Sequence, residues 1–491
     1  MSLEYDLVII GDTAAARAAA IEAVDLQARV AWILPPLSEA RSHFQRDLYP
    51  YALAQIAATN RTHRPMLSDG LSAPPQLSNY PWQYADAAID RLEQQASPAL
   101  LAARGVDTIV GHGEFGRRPH LAFNINHRAL RARAYLIATG SVGDYPLIPG
   151  IQDSGYLTID RLPSMVDRQI PLRWAIIGSE AIGVELAQTL AKLGCQVHLI
   201  VETAQILPYE DPVLASQIQL QLAADGVRIY LDAIVTQIDR DRESKVAIFG
   251  DEAIAIDEIF VALPDRPLVE PFNLSGVGVE YNEKGISIDR YLGTSNALIY
   301  ACGSVCGNVF GGYHSQHLER YEAKIAVRNA LNRRQQKIDY RSYDRLPWAV
   351  YTDPPLARVG MTSGAADRDR QDLIILKQDF KTCPKAILDN ITSGFCQIIV
   401  TRHGKILGAQ IIGANAPELI QLLAVAIEQQ LTITDIANIP CLSPTYAEII
   451  DRAAQSWQTT RRQRLSRAGW LATTIDRFLG SMVPRWLSWW K

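Results

Sequence analysis

Apolar positions change period twice between Arg173 and Glu202, in RWAIIGSEAIGVELAQTLAKLGCQVHLIVE. Trp174 to Ile177 is a short continuous apolar run, the pattern of a buried strand. Gly178 follows as a tight turn. Ile182, Leu186, Leu190 and Leu193 then recur at helical spacing, and Gly194 closes that helix. Val197 to Val201 is a second apolar run, ending in the acid Glu202. Strand, glycine turn, helix, strand and acid make a βαβ nucleotide-binding unit. A weaker echo opens the chain: a strand over Tyr5 to Ile10, the alanine-rich helix GDTAAARAAAIEAV, and a second strand over Ala28 to Leu34. Pro65 to Pro81 reads as a loop, Ala85 to Gly105 as helix, and Arg128 to Ile137 leads into the turn Ala138 to Ser141. Tyr209 to Gly226 reads as helix, Val227 to Leu263 as short strands, Leu298 to Gly303 as a strand ending in a turn, and His317 to Asn332 as helix. After a polar linker, Arg333 to Arg345, the pattern becomes that of an α+β module. Its strands lie over Phe395 to Thr401 and Ile406 to Ile412, and its helices around Pro417 to Gln430 and Tyr446 to Thr459.

The chemistry of the two turns is anion binding, because unpaired N–H groups and the helix dipole at a helix N-terminus favour phosphate. In the central unit the first and third glycines of the fingerprint are Gly178 and Gly183, but Glu180 stands at the second, where backbone approaches pyrophosphate. Glu202 would accept a hydrogen bond from a ribose 2′-hydroxyl and repel a 2′-phosphate, which favours NAD over NADP. In the N-terminal unit only Gly11 survives; Thr13 and Ala16 fill the other positions, and Leu34 replaces the ribose-binding acid. A threonine hydroxyl can face a phosphate, although its Cβ obstructs the closest approach. For the central unit the alternative is a doubly wound unit that packs well and binds nothing.

A chain of 491 residues is long enough for about three domains. Its net charge of −4 argues against nucleic-acid binding. Met1 to Glu4 lead straight into a strand, with no signal peptide, and no run is long and apolar enough to span a membrane. The six cysteines, Cys195, Cys302, Cys306, Cys383, Cys396 and Cys441, are scattered and late. They suggest neither a disulfide framework nor a zinc site, and point to a reducing cytoplasm. The histidines show no metal-ligand spacing; His314 and His317 fit surface or capping roles.

The pieces IIGDTAAARAA, YLIATGS, AIIGSEAIGVELAQTLAKLG, ILPYEDP, IYACGSV, EAKIAVRNAL, YTDPPLARVG, SGFCQIIV, ILGAQIIG and LSPTYAEII stand in this order. Together they resemble the pyridine nucleotide–disulfide oxidoreductase family, the group of dihydrolipoamide dehydrogenase, glutathione reductase and mercuric reductase, from about Tyr5 to Gln455. The resemblance implies an α/β fold with two Rossmann-like domains, for FAD and NAD, and a C-terminal α+β dimerisation domain. The implied boundaries are 1–150 and 266–335 for the FAD domain, 151–265 for the NAD(P) domain and 345–455 for dimerisation. It also implies a homodimer whose active sites the partner completes. The cofactor-binding residues it implies are Gly11, Thr13, Ala14, Thr139, Gly140, Gly303 and Ser304 for FAD, and Gly178, Gly183 and Glu202 for NAD. Glu185 matches the family glutamate beside nicotinamide and flavin, without its usual lysine partner.

The departures fall on chemistry. The family's redox cysteines, five apart after the first βαβ unit, have no counterpart in SHFQRDLYPYALAQ. Without a thiolate there is no nucleophile toward a disulfide. The family's His-Pro-Thr becomes Ser443-Pro444-Thr445, so Glu448 has no histidine to orient. The ribitol-holding aspartate becomes Ser304. Cys302 and Cys306, near the expected ribitol, are read as small apolar residues at a strand end, against the alternative of a substitute redox pair.

The last segment, 456–491, lies outside the resemblance. Leu471, Ile475, Phe478, Leu479, Met482, Val483, Trp486, Leu487 and Trp490 form one helical face. Arg461, Arg462, Arg464, Arg467, Arg477, Arg485 and Lys491 oppose a single acid, Asp476, and Trp457, Trp470, Trp486, Trp489 and Trp490 cluster here. That is the pattern of a basic amphipathic helix lying in a membrane surface, against the alternative of a helix docked on protein. The expected protein is a cytoplasmic, peripheral membrane flavoprotein that carries electrons from NADH through FAD to a non-disulfide acceptor such as a quinone. The alternative is a non-catalytic, dimeric scaffold at the membrane.

Overall fold

In a computed structural model, described over residues 3–36, 48–63, 79–95, 97–143, 146–241, 244–307, 315–332, 343, 345–368 and 373–459, the apolar runs become parallel strands. Two compact units divide the chain, Met1–Tyr343 and Asp344–Lys491.

The first unit holds two parallel sheets. One contains β1 (Tyr5–Ile10), β2 (Val30–Leu34), β3 (Asp107–Val110) and β4 (Ala132–Ile137). The other contains β5 (Arg173–Ile177), β6 (Gln196–Ile200), β7 (Arg228–Tyr230) and β8 (Glu258–Val261). The chain then returns to the first sheet with β9 (Ile299–Ala301), giving the orders β9-β4-β1-β2-β3 and β7-β6-β5-β8. Every pairing in both sheets is parallel. Parallel sheets covered on both faces need near-continuous apolar strands, and β2 is buried at all of its positions. Helix α1 (Ala14–Asp25) buries Ala15, Ala16, Ala19, Ala20 and Ala23 against Trp32, Leu136 and the helix that follows β9. Small side chains let these layers approach closely. Helices α2 (Tyr49–His63) and α3 (Tyr80–Gln95) pack against each other, and α2 also packs on α4 (Ala181–Lys192), the helix of the second sheet. Helix α5 (Gln316–Asn332) follows β9 and packs along α1.

Two helices differ from the periodicity reading for local reasons. The helix expected over Ala85 to Gly105 is interrupted, because the Ser97 side chain caps a new short helix, Pro98–Ala103. The helix expected from Tyr209 begins at Pro212, where Asp211 accepts from the Val213 N–H and proline occupies the first helical position.

The second unit is an antiparallel sheet in the spatial order Trp348–Val350, Leu356–Gly360, Ile406–Ile412, Phe395–Thr401, Leu373–Asp379. It is covered by the helix Ala416–Glu428 and a last helix over 448–459. Trp457, grouped with the tail on composition, belongs to this core: it is 3% exposed, and its indole lies against Gly404. Residues 460–491, and with them the rest of the basic amphipathic segment, lie outside the described residues. Among the described residues no helix is long and apolar enough to cross a membrane.

Candidate functional site

The first turn is built by β1, β4 and β9 ending side by side. Gly11 has φ +125°, and a Cβ there would stand 2.1 Å from the Ala138 carbonyl oxygen, so only glycine lets β1 pass the end of β4. Thr13 caps α1: its Oγ1 accepts from the Ala16 N–H at 3.1 Å and donates to the Ala138 carbonyl at 2.9 Å. One of the helix's free N–H groups is thus closed by the chain itself. Ala14 opens α1 and is buried. Thr139 turns away, donating from Oγ1 to the Leu268 carbonyl at 2.7 Å. Gly140 has φ +80°, and a Cβ there would lie 2.7 Å from Thr13 Cγ2 and 3.6 Å from Ser304 Oγ. Gly11, Thr13, Gly140, Gly303 and Ser304 therefore meet at one place. Leu34 is buried in the core beside α1, and its side chain gives that end of β2 no hydrogen-bonding group.

Two acids back the β9 turn. Gly303 donates its N–H to Glu322 Oε2 at 2.6 Å, and Ser304 donates its N–H at 3.3 Å and its hydroxyl at 3.0 Å to Glu319 Oε1. Tyr343 donates to Glu322 Oε1 at 2.5 Å. Burial pushes the Glu322 carboxyl up to about 7, against the opposing pull of the Tyr343 and Gly303 donors. Cys302 and Cys306 are both buried and unbridged, and burial, reinforced by Glu322, pushes both thiols well above the ordinary range. Protonated, enclosed thiols are poor nucleophiles, which supports the packing reading of this pair.

The second turn repeats the first. Gly178 has φ +127°, and a Cβ there would stand 2.1 Å from the Ala262 carbonyl oxygen, the relation that Gly11 has to Ala138. Gly183 lets α4 lie on the sheet, since a Cβ there would be 2.6 Å from Ala262 Cβ. Glu180 occupies the N-cap of α4 and makes no side-chain cap bond. Burial first, and Asp265 second, push its carboxyl up to about 7. Asp265 in turn accepts from Ser141 Oγ at 3.0 Å, so this acid pair sits beside the turn that carries Gly140. Glu185 is buried on α4, the helix that α2 packs against. Glu202 is exposed just past β6.

No thiol stands at the described start of α2. Tyr49 is buried there, stacked on Trp82 with ring centroids 6.0 Å apart, and donates to the Trp82 carbonyl at 3.3 Å. Residues 37–47, which hold the rest of the region expected to carry the thiols, lie outside the described residues, as does His314. His317 Nδ1 hydrogen-bonds Ser315 Oγ at 2.9 Å beside the start of α5. Ser443 is exposed, and Glu448 accepts from the Thr445 N–H at 3.1 Å, serving the helix start rather than a histidine.

Sequence reasoning missed Arg17, Glu319, Glu322 and Asp265. Arg17 is buried, pairs with Asp12 at 3.1 Å and Glu93 at 3.3 Å, and lies over the Trp32 ring, whose Nε1–H donates to the Gly11 carbonyl at 2.7 Å. It braces the first turn from behind.

Two linked parallel sheets, each with a glycine turn opening a helix, define a protein of the two-dinucleotide class. Residues 5–330 match the pyridine nucleotide-disulphide oxidoreductase family, and 346–454 match its dimerisation domain. The chain belongs to that family, whose members are FAD-binding, NAD(P)-dependent flavoproteins. It is 28% identical to a mercuric reductase of Staphylococcus aureus over 471 residues, covering 92% of this chain and 82% of that one. A dihydrolipoyl dehydrogenase of Bacillus subtilis is 30% identical over 295 residues, 59% of this chain and 61% of the relative. Among solved structures, the HOCl-induced flavoprotein disulfide reductase RclA from Escherichia coli, as its Cu(II) complex, matches with a TM-score of 0.80 at 23% identity, covering 93% of this chain and 99% of that one. LpdA from Mycobacterium tuberculosis matches with a TM-score of 0.81 at 20% identity, covering 92% and 99%.

The first turn fits FAD through its backbone: the glycines at 11, 140 and 303 all take positive φ and enclose one cradle from three strand ends. The second turn offers NAD the same backbone, with Glu180 opposing its phosphates.

Proposed function

We propose that the protein is a flavin-dependent NADH oxidoreductase that passes electrons to a non-disulfide acceptor such as a quinone at a membrane surface. One observation carries this reading: the glycine frame of both turns is kept, while the cysteines beside the first turn, Cys302 and Cys306, are buried and unbridged, and the sequence has Ser443 in place of the family's histidine. FAD, when bound, supplies two-electron chemistry, and the balanced reaction is NADH, a proton and a quinone giving NAD+ and a quinol.

In this reading residues 1–150 and 266–335 hold FAD through Gly11, Thr13, Ala14, Thr139, Gly140, Gly303 and Ser304. Residues 151–265 hold NADH through Gly178, Gly183 and Glu202. The Ala14 end of α1 presents N–H groups to phosphate, and Thr13 fixes the loop that carries them. Glu202, exposed past β6, takes the ribose hydroxyls and disfavours a 2′-phosphate. Glu185, buried on α4, is the candidate for positioning the nicotinamide. Residues 345–455 form a homodimer, and the basic segment after the last described helix holds the dimer at the membrane.

The test is the absorption spectrum of the purified protein, followed by NADH oxidation with a soluble quinone, glutathione disulfide or lipoamide as acceptor. The reading expects a flavin band and turnover with the quinone alone. Glu180 and Leu34 favour a second reading, a non-catalytic dimeric scaffold, which expects a colourless protein.

A further inference from the structure

A buried carboxylate is expensive to keep, because its charge is taken out of water unless donors or a partner compensate. Helix α5 keeps two, Glu319 and Glu322, three residues apart and each 9% exposed. Glu322 has evident structural work, holding the Gly303 N–H and the Tyr343 hydroxyl. Glu319 holds the next residue of the turn: its Oε1 accepts from both the N–H and the hydroxyl of Ser304. That hydroxyl is the atom facing Gly140, where a Cβ would lie 3.6 Å from it, and Gly140 is also the neighbour of Thr13. Glu319 Oε1 itself lies 3.4 Å from where a Cβ on Gly303 would stand, with Ala15 of α1 next to the same point. An acid from another helix thus reaches the one place where the three strand ends and α1 converge.

We infer that Glu319 is the cofactor-anchoring acid of this site: it supplies from α5 the carboxylate that Ser304 lacks, and the Ser304–Glu319 pair acts as one polar anchor for a polyhydroxylated, phosphate-bearing ligand, which the proposed function makes FAD. A serine hydroxyl that donates to a carboxylate still has its oxygen lone pairs to offer, and the carboxylate orients it. The inference rests on the FAD reading for the ligand's identity, while the pairing of Glu319 with residue 304 does not depend on NADH, on an acceptor or on turnover.

The pairing makes a reciprocal prediction at two positions. In Glu319→Ala, FAD affinity falls by about tenfold or more, the loss expected when a charge-assisted hydrogen bond is removed. In Ser304→Asp with Glu319 retained, two carboxylates crowd one site and affinity falls as well. In the double variant Ser304→Asp, Glu319→Ala, a single acid is restored and affinity returns to within about threefold of the starting protein, a recovery that only coupled positions give. Binding is read by fluorescence titration of FAD into the full-length protein freed of flavin, beside the flavin absorbance per protein as purified and the thermal midpoint of each variant. Glu319→Gln, which keeps the shape but removes the charge that orients the Ser304 hydroxyl, stands in if Glu319→Ala does not fold. Affinity within twofold of the starting protein in the folded Glu319 variant, or a double variant no better than Glu319→Ala, overturns the inference and leaves the redox reading standing. A starting protein that binds no FAD overturns both. Retained FAD without NADH oxidation overturns the redox reading alone.

Discussion

A carboxylate at the start of a helix normally gains from the unpaired N–H groups, which lower its pKa. Glu180 goes the other way, to about 7, because burial and the nearby Asp265 outweigh the helix terminus. The sign for stability follows. Between the ordinary carboxyl value and about 7 the unfolded chain has released this proton while the folded chain still holds it. The contribution of this group to stability is therefore fully present below the unfolded value and is lost as pH rises through about 7. Nucleotide binding runs in parallel, since the neutral acid repels a pyrophosphate less than the charged one. NADH affinity, read by fluorescence titration, is expected to weaken between roughly pH 6 and roughly pH 8. In Glu180→Gln both the affinity and the thermal midpoint should lose that part of their pH dependence. An unchanged pH profile in Glu180→Gln would assign the dependence to another group. The awkwardness of an acid at this position is legible in the sequence. Its charge state is not, because Asp265 is brought close only by the fold.

At the scale of elements, Gly178 and Gly183 of the second turn make different demands, and the difference is measurable. A Cβ at Gly183 collides with a side chain, Ala262 Cβ at 2.6 Å, whereas a Cβ at Gly178 collides with the Ala262 carbonyl oxygen at 2.1 Å and is strained by φ +127° besides. Gly183→Ala is expected to cost about 1–3 kcal/mol, as overpacking does. Adding Ala262→Gly should recover part of that loss, and should do nothing for Gly178→Ala, with urea midpoints as the readout. Equal rescue of both would show that α4 shifts as a body instead. The strands Tyr5–Ile10, Phe395–Thr401 and Ile406–Ile412 coincide with their apolar runs, because each is long enough for pattern to decide its ends. The acids of α5 were not legible. Glu319 and Glu322 recur at a spacing that suits a solvated helical face, and only the close packing of α1 against α5 puts them inside.

For the molecule as a whole, the lack of any cysteine before Cys195, and so of a redox pair after the first turn, together with Ser443 in place of a histidine, predicts that glutathione disulfide and lipoamide are not reduced; family-like NADH-dependent rates with either would contradict it. The tail makes the prediction most independent of that chemistry. If the segment beyond Thr459 lies in a membrane surface, binding has two separable parts. The apolar face contributes about 25 cal/mol for each Å² removed from water. Basic side chains contribute about 1 kcal/mol each at an anionic surface, and salt weakens that part alone. Where the tail is cut matters: ending the chain at Gln455 would remove Trp457 from the core of the second unit, so the informative truncation ends at Thr459. That protein should remain folded but no longer bind vesicles, while the full-length chain co-sediments with them. Phe478→Asp with Trp486→Asp should release the full-length protein at any salt, since the apolar contribution is lost. Arg461→Gln, Arg462→Gln and Arg464→Gln together should weaken binding to anionic vesicles and leave neutral ones little affected. If the truncated and full-length proteins partition alike, the segment is no membrane anchor, and its apolar face is better explained by a protein surface.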